Sequence, residues 1–234
     1  MLPDMSQVIL RAMKVPEVVP IMPLPNAILF PRVLLPLYIF EPRYKKMLGD
    51  CLKGDRMFAV ALLRKGWEKA GAGASPYPIA TVGVIRTCVG RPDGTSNLVL
   101  EGVTRVSIVD YVRLRPYRVA RVGLLESHEI NVAPQRDALV AAVAKLAKAR
   151  ARMGVGLPKS VVNSLLAVES PDLLSDLVSF TLLDNFHHKQ AMLETLDVNE
   201  RLAKLVELLQ AQIRQFELWK TLQGKLSNDD VGHN

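Results

Sequence analysis

Few residues of this sequence combine the types and the spacing that catalysis or metal binding requires. No serine is followed by lysine three positions later, and neither the GxSxG nor the HExxH pattern occurs. The histidines are His128, His187, His188 and His233. His187 and His188 are adjacent, so a helix would point them about 100° apart, a poor geometry for sharing one metal ion. The sequence therefore predicts neither a catalytic nucleophile with its base nor a metal site.

Glycine-rich loops that could cradle phosphates do not fit their motifs either. The segment 71–73 (Gly-Ala-Gly) begins like a dinucleotide-binding loop, but Pro76 occupies the third glycine position. The Gly-Lys pair at 224–225 has Trp219 where the first glycine of a P-loop would stand. We therefore expect no nucleotide cofactor, no ATP hydrolysis and no enzymatic activity.

The segment 111–121 (YVRLRPYRVAR) interleaves arginine and tyrosine and could hold nucleic acid. Arginine binds phosphates, and tyrosine stacks on unpaired bases. Strand alternation would send Arg113 and Arg118 to opposite faces, which favours a solvated strand face. RNA binding stays open as the alternative function. Its candidate residues are Arg113, Arg115, Tyr117, Arg118 and Arg121.

The segment 22–44 (MPLPNAILFPRVLLPLYIFEPRY) is apolar and rich in proline, and it could contact polypeptide. Its prolines exclude a long helix and an uninterrupted central strand, because each removes a backbone donor and fixes φ. Two short strands joined by a rigid, extended connection fit the pattern. We expect that connection to leave apolar surface exposed for an extended or unfolded peptide at Phe30, Pro31, Val33 and Leu34. The alternative is that these side chains are core.

The elements that must position these residues are strands in the first half of the chain. Apolar patterning predicts strands at 18–24, 34–40, 57–63, 79–89 and 117–125, and a short helix at 42–52. Residues 91–94 (RPDG) predict a tight turn, and Gly102 predicts a bulge or bend. About six strands in some 110 residues favour a closed or half-closed β-barrel. Between the turn and the last strand, Leu98, Leu100, Val106 and Ile108 are predicted to share one face, and Glu101, Arg105 and Ser107 the other.

Helical periodicity replaces strand alternation in the second half. Helices are predicted at 136–153, 158–167 and 187–195, with another beginning at Ser170-Pro171. Residues 197–200 (DVNE) resemble a capping box that opens a long last helix. The sequence thus predicts an α+β protein with a barrel at 18–128 and a helical bundle at 134–226.

Length and composition fit a folded protein of the cytoplasm. The chain has 234 residues, 49% of them hydrophobic, and a net charge of +7. It contains neither an apolar run of about 18 residues, as a membrane span requires, nor a recognisable secretion signal. The positive excess lies in the first 133 residues, with 18 Lys and Arg against 11 Asp and Glu, which would suit an acidic partner. Cys51 and Cys88 are predicted to be free, buried thiols.

Several short motifs occur in a fixed order along the chain. The first group is Leu24-Pro25, Leu29-Phe30-Pro31 and Leu35-Pro36-Leu37, followed by the helix start Glu41-Pro42-Arg43-Tyr44. The strand at 79–83 (IATVG), the PDG turn at 92–94, the segment 100–105 (LEGVTR) and the segment 193–202 (LETLDVNERL) follow. This series resembles the substrate-binding amino-terminal domain of Lon proteases, with its PDG hairpin, its EG-x-x-R strand and the entry to its long last helix.

The resemblance implies a PUA-like β-barrel followed by a helical bundle, and a non-catalytic role in recognising substrate polypeptide. The chain ends where the ATPase and peptidase domains of the protease would begin, so we expect a stand-alone member of this family. Its expected partners are unfolded or client polypeptide and a protease or chaperone, without a membrane. Nucleic acid is the alternative partner.

Overall fold

The computed structural model describes residues 14–66, 74–128, 133–153 and 158–229, which form two compact units. The first unit contains the described residues up to Ser127 together with Asn185–Leu196. The second contains those of His128–Asp184 and those from Asp197 onward. Asn185–Leu196 therefore belongs with the amino-terminal part of the chain. The continuous domain ranges 18–128 and 134–226 remain a prediction.

The described elements follow the predicted change from strands to helices. The strand part consists of β1 (Val18–Leu24), β2 (Leu34–Ile39), α1 (Pro42–Lys53), β3 (Met57–Leu62), β4 (Ile79–Gly90), β5 (Ser96–Arg113) and β6 (Arg118–Leu125). The helical part consists of α2 (Ala133–Arg152), α3 (Lys159–Leu166), α4 (Pro171–Leu182), α5 (Phe186–Glu194) and α6 (Val198–Asp229). The fold class is α+β, as predicted.

The strands of the first unit close into a ring. They pair in the order β2-β5-β4-β3-β1-β6, and β6 pairs with β5 as well as with β1. Strands β1 and β3 are parallel, and the other pairs are antiparallel. Because β6 has both neighbours, the strands β1, β3, β4, β5 and β6 form the predicted barrel. Strand β2 lies outside this ring and pairs with the first half of β5.

The inside of the ring is filled mainly by small side chains. Every ring strand contributes residues to one buried cluster, in which alanine and valine predominate. A ring of so few strands leaves little room inside, and small side chains fit that space. The strand residues of this cluster are Val19, Ile21, Met57, Ala59, Ala61, Ala80, Val82, Val84, Val106, Ala120 and Val122.

Helix α1 packs on a second apolar cluster, which includes residues of β2 and of the outer side of the ring and which we call the α1 cluster. Its buried members are Met22, Leu29, Ile39, Tyr44, Met47, Leu48, Cys51, Phe58, Val60, Ile85, Leu98, Leu100 and Tyr117. Pro42 stands in its first turn, and Tyr44, Met47, Leu48 and Cys51 form its buried face at helical spacing. Burial raises the pKa of the Cys51 thiol to about 12. Cys51 and Cys88 are both free, as predicted, and Cys88 is only partly buried.

The segment between β1 and β2 crosses β5 at Gly102. The backbone N–H of Arg32 donates to the Gly102 oxygen at 2.8 Å, and the Gly102 N–H donates to the Val33 oxygen at 2.9 Å. A Cβ at position 102 would overlap the carbonyl group of Phe30. Only glycine allows this close approach of two backbones.

A bulge beside Gly102 reverses the faces of β5. Gly102 pairs with Gly83 of β4, but Thr104, not Val103, pairs with Val82. Leu100 consequently packs with the α1 cluster, while Val106 packs inside the ring. The bulge was predicted, but the prediction that Leu98, Leu100, Val106 and Ile108 share one face was wrong, because one extra residue inverts the alternation that follows.

The second unit is held by helix caps and by buried ion pairs. The N–H of Leu173 is capped by Ser170 Oγ at 3.4 Å, and the N–H of Glu200 is capped by Asp197 Oδ1 at 2.8 Å. Both predicted caps are therefore confirmed. The fully buried Arg201 of α6 donates to carboxylates of α4, to Asp172 at 2.8 Å and Asp176 at 2.9 Å. None of the described helices is both long enough and apolar enough to cross a membrane.

Candidate functional site

The four residues predicted to bind peptide differ sharply in exposure. Phe30 is 0% exposed and Val33 is 4% exposed, and Pro31 is buried with them, whereas Leu34 is 56% exposed. The expectation of exposed apolar surface is therefore wrong for Phe30, Pro31 and Val33. Their segment is pressed onto Gly102 of β5, which turns these side chains into core. Leu34 marks where the chain leaves that crossing and enters β2.

Strand β2 carries apolar side chains on both of its faces. Leu35, Leu37 and Ile39 pack against the α1 cluster. Leu34, Pro36 and Tyr38 alternate with them and are exposed, and Phe40 follows just after the strand. Tyr38 is 48% exposed and Phe40 is 58% exposed, and their rings stack with centroids 5.8 Å apart. A pleated strand sends alternate side chains to opposite faces, so an apolar run at an edge must expose half its residues.

Neighbouring strands extend this apolar surface. Val89 of β4, 57% exposed, pairs with Asn97 of β5, which pairs with Tyr38 of β2. Between these three strands lies an open groove of about 420 Å³ with a largely apolar lining. We call this region, together with Leu34 and Phe40, the β2 face. The groove is lined by Pro36, Leu37, Tyr38, Thr87, Val89, Asn97, Leu98 and Val99.

Charged side chains beside the β2 face form ion pairs or ring contacts with neighbouring residues of the chain. Arg86 forms an ion pair with Glu101. Arg43 pairs with Glu41 at 2.8 Å, and the Arg91 guanidinium lies 5.5 Å from the centre of the Tyr38 ring. The interior of the face therefore offers apolar contact, and its rim offers paired charges. Such a surface suits an apolar ligand better than a polyanion.

The arginine-rich segment makes contacts within the chain. Arg113 lies over the ring of Tyr117 at 4.5 Å, and Tyr117 is buried, with its hydroxyl donating to Asp50 at 2.8 Å. Arg118 donates to the Ala74 oxygen at 2.6 Å. Of the other two candidates, Arg121 pairs with Asp110 at 3.2 Å, and Arg115 is exposed. Buried Tyr117 is not available to stack on a base, while a role for the arginines in nucleic-acid binding stays a prediction.

The histidine pair lies at the start of α5, where Asn185 Oδ1 accepts the N–H of His187 at 2.8 Å. His187 Nδ1 is 3.2 Å from the Tyr77 hydroxyl. Desolvation lowers the pKa of His187, and the positive charge of Lys65 lowers it further. Among residues 14–66, 74–128, 133–153 and 158–229, no group of three His, Cys, Asp or Glu side chains could hold a metal ion.

Sequence reasoning missed Tyr38, Phe40 and Val89 as candidate residues. A signal for two of them was present, because positions 34–40 read Leu-Leu-Pro-Leu-Tyr-Ile-Phe without a polar residue. In such a strand every second side chain must point away from the core. Val89 carried no such signal, since its place beside Tyr38 depends on the pairing of β2, β5 and β4.

Comparison with protein families gives one match over most of the chain. Residues 18–211 match the model of the ATP-dependent protease La (LON) substrate-binding domain. A Lon protease of Dictyoglomus thermophilum is 26% identical over 215 residues, which cover 92% of this chain and 27% of that protein. Lon protease 2 of Myxococcus xanthus is 29% identical over 195 residues, 83% of this chain and 24% of that protein. The chain thus spans about a quarter of the length of these curated relatives.

Solved structures share the fold. The amino-terminal domain of a Mycobacterium avium complex Lon protease superposes with a TM-score of 0.66 at 17% identity, covering 82% of this chain and 98% of that one. A Lon N-terminal domain protein from Xanthomonas campestris gives a TM-score of 0.60 at 20% identity, covering 81% and 97%. At these identities the likeness concerns the architecture of strands and helices.

Proposed function

The chain belongs to the Lon substrate-binding domain family, and from that membership we propose that it recognises polypeptide by binding unfolded or client chains on the β2 face. The family supports a substrate-recognition module. The particular surface and the unfolded state of the ligand are our proposal. We further propose that the chain is not itself catalytic and acts beside a protease or chaperone in the cytoplasm.

One observation carries this proposal, namely the apolar side chains exposed together on the β2 face. Leu34, Tyr38, Phe40 and Val89 are each about half exposed, and they come from β2, the residue that follows it, and β4 of the same sheet. Grouped apolar exposure of this kind marks interaction sites, whereas single exposed apolar residues are ordinary. Completing the burial of each side chain would contribute on the order of 1 kcal/mol. Several contacts of this size together suit weak, reversible binding of many sequences.

The proposal is tested by fluorescence anisotropy with a labelled, permanently unfolded polypeptide. The variant L34D/Y38D places two carboxylates on the β2 face, where an apolar ligand would have to desolvate them. We expect at least tenfold weaker binding, with thermal unfolding near that of the wild type. The matched control is Leu124→Asp, because Leu124 of β6 is 59% exposed but lies outside the β2 face. We expect this control to bind as the wild type does.

Ionic strength separates this proposal from nucleic-acid binding. Apolar contacts should change little between about 50 and 300 mM salt, whereas phosphate contacts release counterions and weaken steeply. A labelled structured RNA is therefore titrated in parallel. Tight, salt-sensitive RNA binding that is lost in Arg113→Ala and Arg115→Ala, with no polypeptide binding, would replace the proposal by its alternative.

A further inference from the structure

Strand β2 has an open edge. Among the described strands it pairs with β5 alone, over the six residue pairs from Leu34–Glu101 to Ile39–Ser96. An unpaired edge presents a row of backbone donors and acceptors that another extended chain can join. The exposed β2 face adjoins this edge, so side-chain contact and backbone pairing would be offered at the same place.

The pairing phase of β2 identifies which backbone groups lie at the open edge. The Gly102 N–H donates to the Val33 oxygen, so the backbone polar groups at position 33, and at alternate positions 35, 37 and 39, point toward β5. The backbone N–H and C=O groups at positions 34, 36 and 38 therefore point away from β5, toward the open edge. Pro36 agrees with this phase, because proline in a sheet stands where its missing N–H would face away from the neighbouring strand. The open edge thus offers the N–H groups of Leu34 and Tyr38 and three carbonyl oxygens.

Pro36 also indicates what kind of strand fits this edge. In a symmetric antiparallel pair of two β2 strands centred on Pro36, each Pro36 oxygen would face the proline nitrogen of the other copy, which has no hydrogen to donate. A different extended chain with an ordinary residue at that position donates its own N–H to the Pro36 oxygen. The edge is therefore better suited to a foreign segment than to a second copy of this chain.

We propose that an extended segment of client polypeptide adds to the open edge of β2 as a further strand. This inference rests on the proposed function and specifies how the ligand is held. The donors and acceptors at positions 34, 36 and 38 hold the backbone of the segment, regardless of its sequence. Every second side chain of the segment lies on the same side as Leu34 and Tyr38 and extends the β2 face. The preferred ligand has apolar or aromatic residues at alternate positions.

The first test scans the backbone of a peptide ligand. The probe is a labelled eight-residue peptide with phenylalanine or valine at alternate positions and serine or glutamate between them. Single N-methyl groups are introduced at each position in turn, which removes one N–H donor without changing the side chain. We expect losses of about tenfold at every second position and little change between them, because only alternate N–H groups face β2.

The second test removes a donor from the protein. Leu34→Pro deletes both the side chain and the edge N–H, whereas Leu34→Ala deletes the side chain and keeps the N–H. We expect Leu34→Pro to bind the peptide several-fold more weakly than Leu34→Ala at equal thermal stability. Equal affinities of the two variants would overturn strand addition.

The remaining outcomes separate this inference from the proposed function. Peptide binding that is indifferent to the position of the N-methyl group would overturn strand addition and leave recognition by the β2 face intact. If the unfolded polypeptide binds but the eight-residue peptide does not, strand addition is likewise overturned and recognition by the β2 face stays intact. A dimer of the free wild type that Leu34→Pro abolishes would assign the edge to a second copy. Failure of both ligands to bind would overturn both proposals.

Discussion

Arg105 of β5 donates from Nε to the backbone oxygen of Leu193 at 3.0 Å, across 88 positions of sequence. Leu193 lies in the last turn of α5, where carbonyl oxygens lack partners within the helix and carry partial negative charge. The buried guanidinium of Arg105 satisfies one of them. The arginine of the EG-x-x-R segment thereby fastens α5 to the strands of the first unit.

Replacing Arg105 by methionine should therefore destabilise the first unit. The substitution keeps the apolar stem but leaves the Leu193 oxygen without this donor, and we expect a loss of about 2 kcal/mol in the free energy of unfolding. Hydrogen exchange should accelerate most strongly in α5. The control is Arg121→Met, which removes an exposed pair with Asp110 and should change stability by less than about 0.5 kcal/mol. Equal effects of the two substitutions would contradict the fastening role.

Gly102→Ala tests the crossing of the two backbones. The added Cβ would overlap the carbonyl group of Phe30, which is backbone and cannot rotate away. We expect a loss of about 3 kcal/mol in chemical denaturation, at the upper end of the cost of overpacking. Gly90→Ala is the matched control in the same sheet, because nothing lies within 4 Å of its new Cβ. Unfolding of both variants at the same denaturant concentration would contradict a close approach of the two backbones at Gly102.

Charged substitutions at Phe30 and Leu34 should have different consequences, although the sequence suggested one role for both. Phe30→Asp buries a carboxylate in the core, and we expect a loss of roughly 4 kcal/mol or outright unfolding. Leu34→Asp changes an exposed side chain and should leave the melting temperature nearly unchanged while weakening polypeptide binding. Circular dichroism melts with binding titrations check both variants. A folded, binding-deficient Phe30→Asp would restore the earlier interpretation of that residue.

Arg201→Met tests the buried charges of the second unit. The substitution leaves the fully buried Asp176 carboxylate without its arginine, and an uncompensated buried charge costs about 3 to 5 kcal/mol. Thermal unfolding should show a large downward shift. Lys204→Met on the same helix removes an exposed ion pair with Glu200 and should be nearly neutral. Restoring stability with the second change Asp176→Leu would confirm the cause.

The pair formed by Tyr117 and Asp50 predicts a specific dependence on pH. Hydrogen bonds from Tyr117 and then Lys46 lower the pKa of Asp50 below its ordinary value near 4. Because the pKa is lower in the folded state, the ionised carboxylate stabilises the fold at pH values above the ordinary pKa. This stabilisation is lost as the pH falls through the pKa of the folded state. Tyr117→Phe should therefore be less stable than the wild type at pH 7, and the difference should shrink below about pH 4. Urea denaturation at pH 7 and pH 3 measures both differences, and a constant difference would exclude this linkage.

The sequence alone determined the features that depend on neighbouring residues. Strand β1, the helix start at Pro42, the turn at 91–94 and the caps Ser170 and Asp197 all lie where the sequence places them. In the turn, Gly94 has the positive φ of 74° that the PDG pattern requires. Proline geometry, capping and apolar periodicity act over a few residues, so they can be read without knowing the rest of the fold.

Only the tertiary structure decided which apolar residues are exposed and which distant groups meet. Phe30 and Leu34 are similar in sequence terms, but the crossing at Gly102 buries one and leaves the other on the surface. One extra residue beside Gly102 inverted the faces of β5, and Arg105 found its partner 88 positions away in a helix that returns to the first unit. Burial and strand register depend on what packs from elsewhere in the chain, and no local pattern encodes that neighbour.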